Sequence, residues 1–330
     1  MRGSRWNRAV AVCAATAALA LGPTPAASAA PDLPTDFVAA TVPVAAAPTQ
    51  FTHGDAIRYD KRHPDSAPPG INDFACTPSP AHPKPVILVH GTDSSAYSDW
   101  ALFAPMLHAA GYCVYAPNFG RGAGGDYGTA DVVMSAHQLG DFVDHVRTQT
   151  GAAKVDVVGY SLGATVARYW VNLLGGGAVT DRWVGIASPT YGGTIYGTSQ
   201  IFEAIPGGVD LIERFSSLPV VQQLADSAFL AQLNGPGDTV PGVRYTTIAS
   251  RVDEIIQPVE NIALRDPAAT NIVVQDLCPI DLTGHFNLVY DRFSLQLVLN
   301  TLDPEHSVVP PCEFVPLGTG IAEVALASNF

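Results

Sequence analysis

Short apolar runs alternate with amphipathic stretches along most of this chain. Val86-Ile87-Leu88-Val89 has no polar position, the mark of a parallel strand buried on both faces. Tyr112–Ala116, Val155–Val158, Trp183–Ala187, Arg244–Ala249 and Ile272–Gln275 predict further strands. Between them the spacing becomes helical. Asp99–Ala110 is closed by Gly111, and 162–174 by Gly175-Gly176-Gly177; 290–301 is a final helix. Within 130–149, Val132, Ala136, Leu139, Val143 and Val146 fall on a single stripe. Strand alternating with helix predicts an α/β fold, a mostly parallel sheet with helices on both faces. No internal repeat is visible. Residues 30–75 are rich in Pro and Ala without a sustained period, which predicts an extended arm wrapping the domain. The organisation read here is a leader over 1–29, the arm proper over 30–67 and one α/β domain over 68–330.

One connection is much longer than an αβ loop needs. Residues 188–236 carry Gly192-Gly193, Gly207-Gly208 and Gly235-Pro236-Gly237 around two helical segments. Val221, Leu224, Ala225, Ala228 and Leu233 fall on one face of the second. Two readings stand equally: a cap or lid on glycine hinges, or a helix packed permanently on the body.

Composition narrows the class of molecule. An apolar content of 47% excludes a disordered chain. The formal charge of −13, with only Lys61, Lys84 and Lys154 as lysines, excludes a phosphate-binding surface for nucleic acid. Arg2, Arg5 and Arg8 precede an apolar stretch from Ala9 to Leu21, then Ala27-Ser28-Ala29. That pattern predicts a secretory leader cleaved near Ala29, and it is too short to be a membrane anchor. Its loss removes three arginines and no acids, so −13 becomes −16. Cys76, Cys113, Cys278 and Cys312 then remain, and four cysteines allow three connectivities. Cys76 and Cys113 flank one strand, and Cys278 and Cys312 flank the last motif, so 76–113 and 278–312 are the expected pairs. Zinc is the competing reading, but no CxxC pair or His cluster supports it.

Candidate chemistry sits at strand ends. Gly159-Tyr160-Ser161-Leu162-Gly163 is G-x-S-x-G, weak by itself but placed where a buried strand runs straight into a helix. Such a turn presents Ser161 as a nucleophile. Its base is expected to be His285, which follows Gly284 in a loop before the last helix; His306 is the plainer, solvated alternative. Asp253 is the expected orienting acid, with Glu254 adjacent as fallback and Asp276 or Asp281 as further alternatives. The oxyanion donors are expected to be the N–H groups of Leu162 and Thr92. His90 reads as a loop brace rather than a base. Gly120-Arg121-Gly122-Ala123-Gly124-Gly125 is a literal G-x-G-x-x-G, but helix pattern begins only near Ala130, so a mobile loop at the cleft rim is expected in place of a dinucleotide site.

Taken together, several segments resemble the secreted bacterial triacylglycerol lipases of the class 2 lipase family. They are Pro69-Gly70-Ile71-Asn72-Asp73, His82-Pro83, Val89-His90-Gly91-Thr92, Gly111-Tyr112-Cys113-Val114, the G-x-S-x-G, Ala249-Ser250-Arg251-Val252-Asp253-Glu254, Gly284-His285 and Leu295-Gln296-Leu297-Val298-Leu299. The resemblance runs from about Pro68 to Pro304. It implies an α/β-hydrolase catalytic domain, hydrolysis of water-insoluble acylglycerols at an oil–water interface, and catalytic roles for Ser161, Asp253 and His285. It implies no cofactor. Asp93-Ser94-Ser95 stand where other bacterial lipases carry a further glycine, which bears on Thr92 as donor. Some lipases hold structural calcium near the His loop; Asp276 and Asp281 are the candidates here, though solvent-facing acids are the simpler expectation. A monomeric carboxylic ester hydrolase is the overall expectation. A soluble short-chain esterase or an acyltransferase is the alternative, and a non-catalytic binding protein of the same fold a more distant one.

Overall fold

The computed structural model describes residues 38–193 and 217–329; the expected leader, the start of the arm and residues 194–216 lie outside the described residues. Strands β1 (Ala45–Ala46) and β2 (Ser66–Ala67) form a small parallel pair. The main sheet contains β3 (Val86–Val89), β4 (Val114–Tyr115), β5 (Val155–Tyr160), β6 (Thr180–Ile186), β7 (Arg244–Ala249) and β8 (Thr270–Val273). Their order is β4-β3-β5-β6-β7-β8 and every pairing is parallel.

Alternation along the strands feeds two separate cores. Val86, Leu88, Val158, Val184, Ile186 and Ile248 face one layer, with helices α2 (Ala96–Trp100) and α3 (Phe103–Ala109) and the helix Arg292–Leu302. Ile87, Val89, Val155, Val157, Trp183 and Tyr245 face the other, with α4 (Val132–Thr150) and α5 (Leu162–Leu173). The α4 stripe read from spacing is fully buried. Asp131 caps that helix by accepting the Met134 N–H at 2.9 Å, and Gly151 ends it in the left-handed region.

Several expected elements differ. The helix expected over Asp99–Ala110 starts earlier, where Ser95 and Ser98 form a reciprocal capping box, and divides in two. The strand expected over Ile272–Gln275 ends at Val273 and turns into a short helix, Val274–Leu277. The arm is not extended throughout: His53–Arg62 is a helix, α1, capped by Thr52 and packed against α2 and the C-terminal helix Ile321–Asn329. Gly120–Gly125 opens no helix; Phe119 and Gly120 carbonyls accept the Gly128 and Thr129 N–H groups, each at 2.9 Å, and close a turn.

Helix Leu218–Gln222 and helix Ala228–Asn234 replace the single amphipathic helix expected there. Asp226 has φ 61° and Ser227 caps a new helix at Leu230, so the face is broken and Ala228 lies exposed. Both pieces are fastened to the body. Thr165 donates to Gln223 at 2.9 Å, Gln222 donates to Asp131 at 2.7 Å, and Phe229 stacks on Tyr169. Gly207-Gly208 and the first helical segment lie outside the described residues.

Sheet order reverses between β4-β3 and β5 onward, which opens a crevice beyond the C-terminal ends of β3 and β5. Among the described residues, no helix is long and apolar enough to cross a membrane.

Candidate active site

Ser161 sits at the crevice, between the last residue of β5 and the first of α5. Its φ of 50° lies where only glycine is comfortable, a strain of about 1–3 kcal/mol that the surrounding packing must enforce. A Cβ on Gly163 would collide with the carbonyls of Val89 and His90, and one on Gly159 with the backbone of Ala164. The two motif glycines therefore let β3, β5 and α5 approach closely enough to hold the turn.

The loops bring a base to that serine. His285 Nε2 lies 3.1 Å from Ser161 Oγ, and His285 Nδ1 lies 2.8 Å from Asp253 Oδ2. Asp253 is oriented in turn, its Oδ1 accepting the N–H groups of Ile255 at 2.8 Å and Ile256 at 2.7 Å. Asp253 and His285 are both almost wholly buried. With a carboxylate at Nδ1, the ring carries its proton there and leaves Nε2 free to take one from the serine.

Three neighbours fix the His285 loop. Tyr160 donates its hydroxyl to the His285 carbonyl at 2.9 Å. Glu254, adjacent to Asp253, does not reach the imidazole; its Oε2 accepts the His285 backbone N–H at 2.5 Å. Burial raises the Glu254 carboxyl above its ordinary value, against the pull of that N–H. Ser250 Oγ donates to the Thr283 carbonyl at 2.5 Å.

Thr92 and Ser161 line one small cavity of about 60 Å³ with Pro189, Gly193, Val220, Gln223, Leu224, Ile255 and Ile256. Thr92 lies on the loop after β3, and Leu162, directly after the serine, is the first residue of α5. His90 is fully buried; its Nδ1 lies 2.9 Å from the Gly91 carbonyl, its Nε2 accepts the Phe119 N–H at 3.3 Å, and burial pulls its imidazole down to about 4. It braces the loop as a neutral ring. His306 is exposed and pairs with Asp303.

The acids considered for calcium do not converge. Asp276 is exposed and pairs with Arg251. Asp281 does not face solvent: it is 1% exposed, beside Asp291. Burial and the Asp291 charge push its carboxyl up to about 6. Among the described residues, no group of three or more His, Cys, Asp or Glu is placed to hold a metal. Cys76 and Cys113 stand at disulfide distance with Cα atoms 5.8 Å apart, and Cys278 and Cys312 with Cα atoms 5.3 Å apart.

Sequence reasoning missed the Tyr160 hydroxyl, the role of Glu254, and a buried pair, His53 and Asp99, behind the Gly91 loop. None of these carries a local motif, since each is defined by a partner distant in sequence.

Comparison with known proteins bears on the fold and the family. Lipase B from Aspergillus fumigatus superposes with a TM-score of 0.58 at 20% identity, covering 79% of this chain; this chain spans 65% of that lipase. The mature lipase BlEst2 from Bacillus licheniformis gives 0.48 at 18% identity, covering 68% of this chain and 94% of its own. The fold is that of the α/β-hydrolases. The family model for class 2 lipases matches residues 83–297, and the chain belongs to that family.

Proposed function

We propose that the protein is a secreted serine hydrolase that cleaves carboxylic esters, most specifically acylglycerols, through an acyl-enzyme. The observation that supports this reading is the continuous line Ser161–His285–Asp253, with spacings of 3.1 and 2.8 Å. Ser161 Oγ attacks the ester carbonyl as His285 Nε2 takes its proton, and Asp253 stabilises the imidazolium that forms. The amides of Thr92 and Leu162 hold the tetrahedral oxyanion. His285 then protonates the departing alcohol and activates the water that releases the acid. The apolar walls from Pro189, Val220, Leu224, Ile255 and Ile256 suit an acyl chain.

The leader over 1–29, its removal, and a catalytic domain over 68–330 are part of the same proposal. So is the disulfide pairing, which suits an exported chain. The small cavity volume favours a second reading, a carboxylesterase for short soluble esters.

Rates on p-nitrophenyl esters of increasing chain length, and on emulsified triglyceride, separate the two. Lipase action predicts a rise once substrate forms an interface; an esterase is fastest on short monomeric esters. Ser161→Ala lowers turnover roughly a millionfold in the proposed mechanism. Turnover near wild type in that purified variant removes Ser161 as nucleophile.

A further inference from the structure

Apart from the residues that line the cavity lies a second buried histidine–carboxylate pair, His53 and Asp99. Asp99 is fully buried, at the end of α2. A buried carboxylate is costly unless every oxygen is paired, and this one is. Its Oδ2 accepts the Gly91 N–H at 2.6 Å, and its Oδ1 accepts from Ser94 Oγ at 2.6 Å and faces His53 Nε2 at 3.0 Å. Burial raises the Asp99 carboxyl, and the bonds from His53, Gly91 and Ser94 outweigh it and hold the group below its usual value.

His53 reaches the other side of the crevice. Its Nδ1 lies 2.8 Å from the carbonyl of Phe286, the residue after His285. Both ring nitrogens therefore face acceptors, a carboxylate and a carbonyl. The ring stacks on Tyr290, with centroids 5.3 Å apart, and presents an edge to Tyr160. His53 opens α1, and the same helix reaches the Gly91 loop again where Ser95 Oγ donates to Asp60 at 2.7 Å.

From this bridge we infer that His53 and Asp99 are positioning residues that fix the oxyanion loop relative to the backbone of the His285 loop. The inference rests on the serine-hydrolase reading above. Gly91 N–H is the amide immediately before that of Thr92, so its anchor sets where Thr92 points. The Phe286 carbonyl belongs to the segment that carries His285. These two side chains together thus fix the separation between the oxyanion donor and the base. Packing alone does not require this arrangement, since an apolar ring of the same size fills the site against Tyr290.

The test uses His53→Phe, which keeps ring volume and stacking but removes both hydrogen bonds. A fluorophosphonate titrates Ser161, giving the fraction of reactive sites and the rate constant per site; kcat and KM are measured on a soluble ester. The expected result is one reactive site per chain, a phosphonylation rate constant and kcat lowered about 10–100-fold, and KM nearly unchanged, in line with a displaced oxyanion donor. A full titre with rates lowered less than fivefold overturns the inference. So does a reduced titre with a wild-type rate per site, which is what a purely structural role predicts. Should His53→Phe not fold, His53→Leu, which likewise donates to neither partner, is judged by the same criteria. Wild-type protein that neither labels at Ser161 nor turns over ester fails the hydrolase reading itself, a distinct outcome.

Discussion

Glu254 lays its carboxylate against the α-carbon of Gly284, and a side chain on that glycine would collide with it. The carboxylate is there to accept the next backbone N–H, that of His285. The Gly-His pair visible in the sequence thus has a steric cause. Gly284→Ala is expected to cost about 1–3 kcal/mol through overpacking and to lower kcat by moving His285. Glu254→Gln keeps the acceptor and is expected to hold kcat within about threefold. Denaturant unfolding and steady-state kinetics check both; a Gly284→Ala protein of wild-type stability contradicts the contact.

Tyr160 fixes the same loop from the other side. Tyr160→Phe removes only the bond to the His285 carbonyl and leaves the ring in place. One neutral hydrogen bond is worth about 0.5–1.5 kcal/mol, so kcat is expected to fall about 2–10-fold with the melting curve little changed. An unchanged kcat counts against a positioning role for that hydroxyl.

The buried acid pair gives a pH dependence with a definite sign. Asp281 has a folded-state value of about 6, above the ordinary carboxylate value of 3.8. The native state therefore holds this proton more firmly than the unfolded chain. Its contribution is fully present below the unfolded value and is lost as pH rises through about 6. In Asp281→Asn the amide stays neutral at every pH. The Tm difference between variant and wild type is expected to be more positive at pH 8 than at pH 4, by about 2–4 °C. Calorimetry at the two pH values reads it, and a difference of the opposite sign excludes the pairing.

The proposed Cys278–Cys312 cross-link would close a 34-residue separation that contains His285. Replacing both cysteines by serine is expected to lower stability by about 3–4 kcal/mol through the entropy of the unfolded chain. Unfolding midpoints of the variant and the unreduced parent measure this. Equal midpoints mean the cross-link is absent or ineffective.

Periodic elements were the legible part of the fold. The stripe of α4 and the apolar run of β3 follow from spacing because each is wholly buried on the predicted faces. Boundaries set by side-chain caps were harder: the Ser95–Ser98 box starts α2 early, and Asp226 breaks the expected helix near 221–233. Helix α1 has only three buried residues among ten, too few to mark a period in a Pro/Ala-rich arm. At the site, Ser161, Asp253 and His285 were singled out by motif, order and loop position. His53 and Asp99 were not, because a histidine 46 positions from its carboxylate leaves no local signature.

The packing of α1 also bears on when the crevice acquires its geometry. Gly54, next to His53, lies against the backbone of Glu323, in the last helix of the chain. During synthesis that partner emerges some 270 residues after α1 itself. Contacts of such long sequence separation form late. Ser161 and His285 can meet earlier, but the helix carrying His53 gains its final support only when the helix Ile321–Asn329 is in place. A nascent chain halted before Ile321 would hold the proposed triad in sequence yet lack the contact that supports α1 beside it.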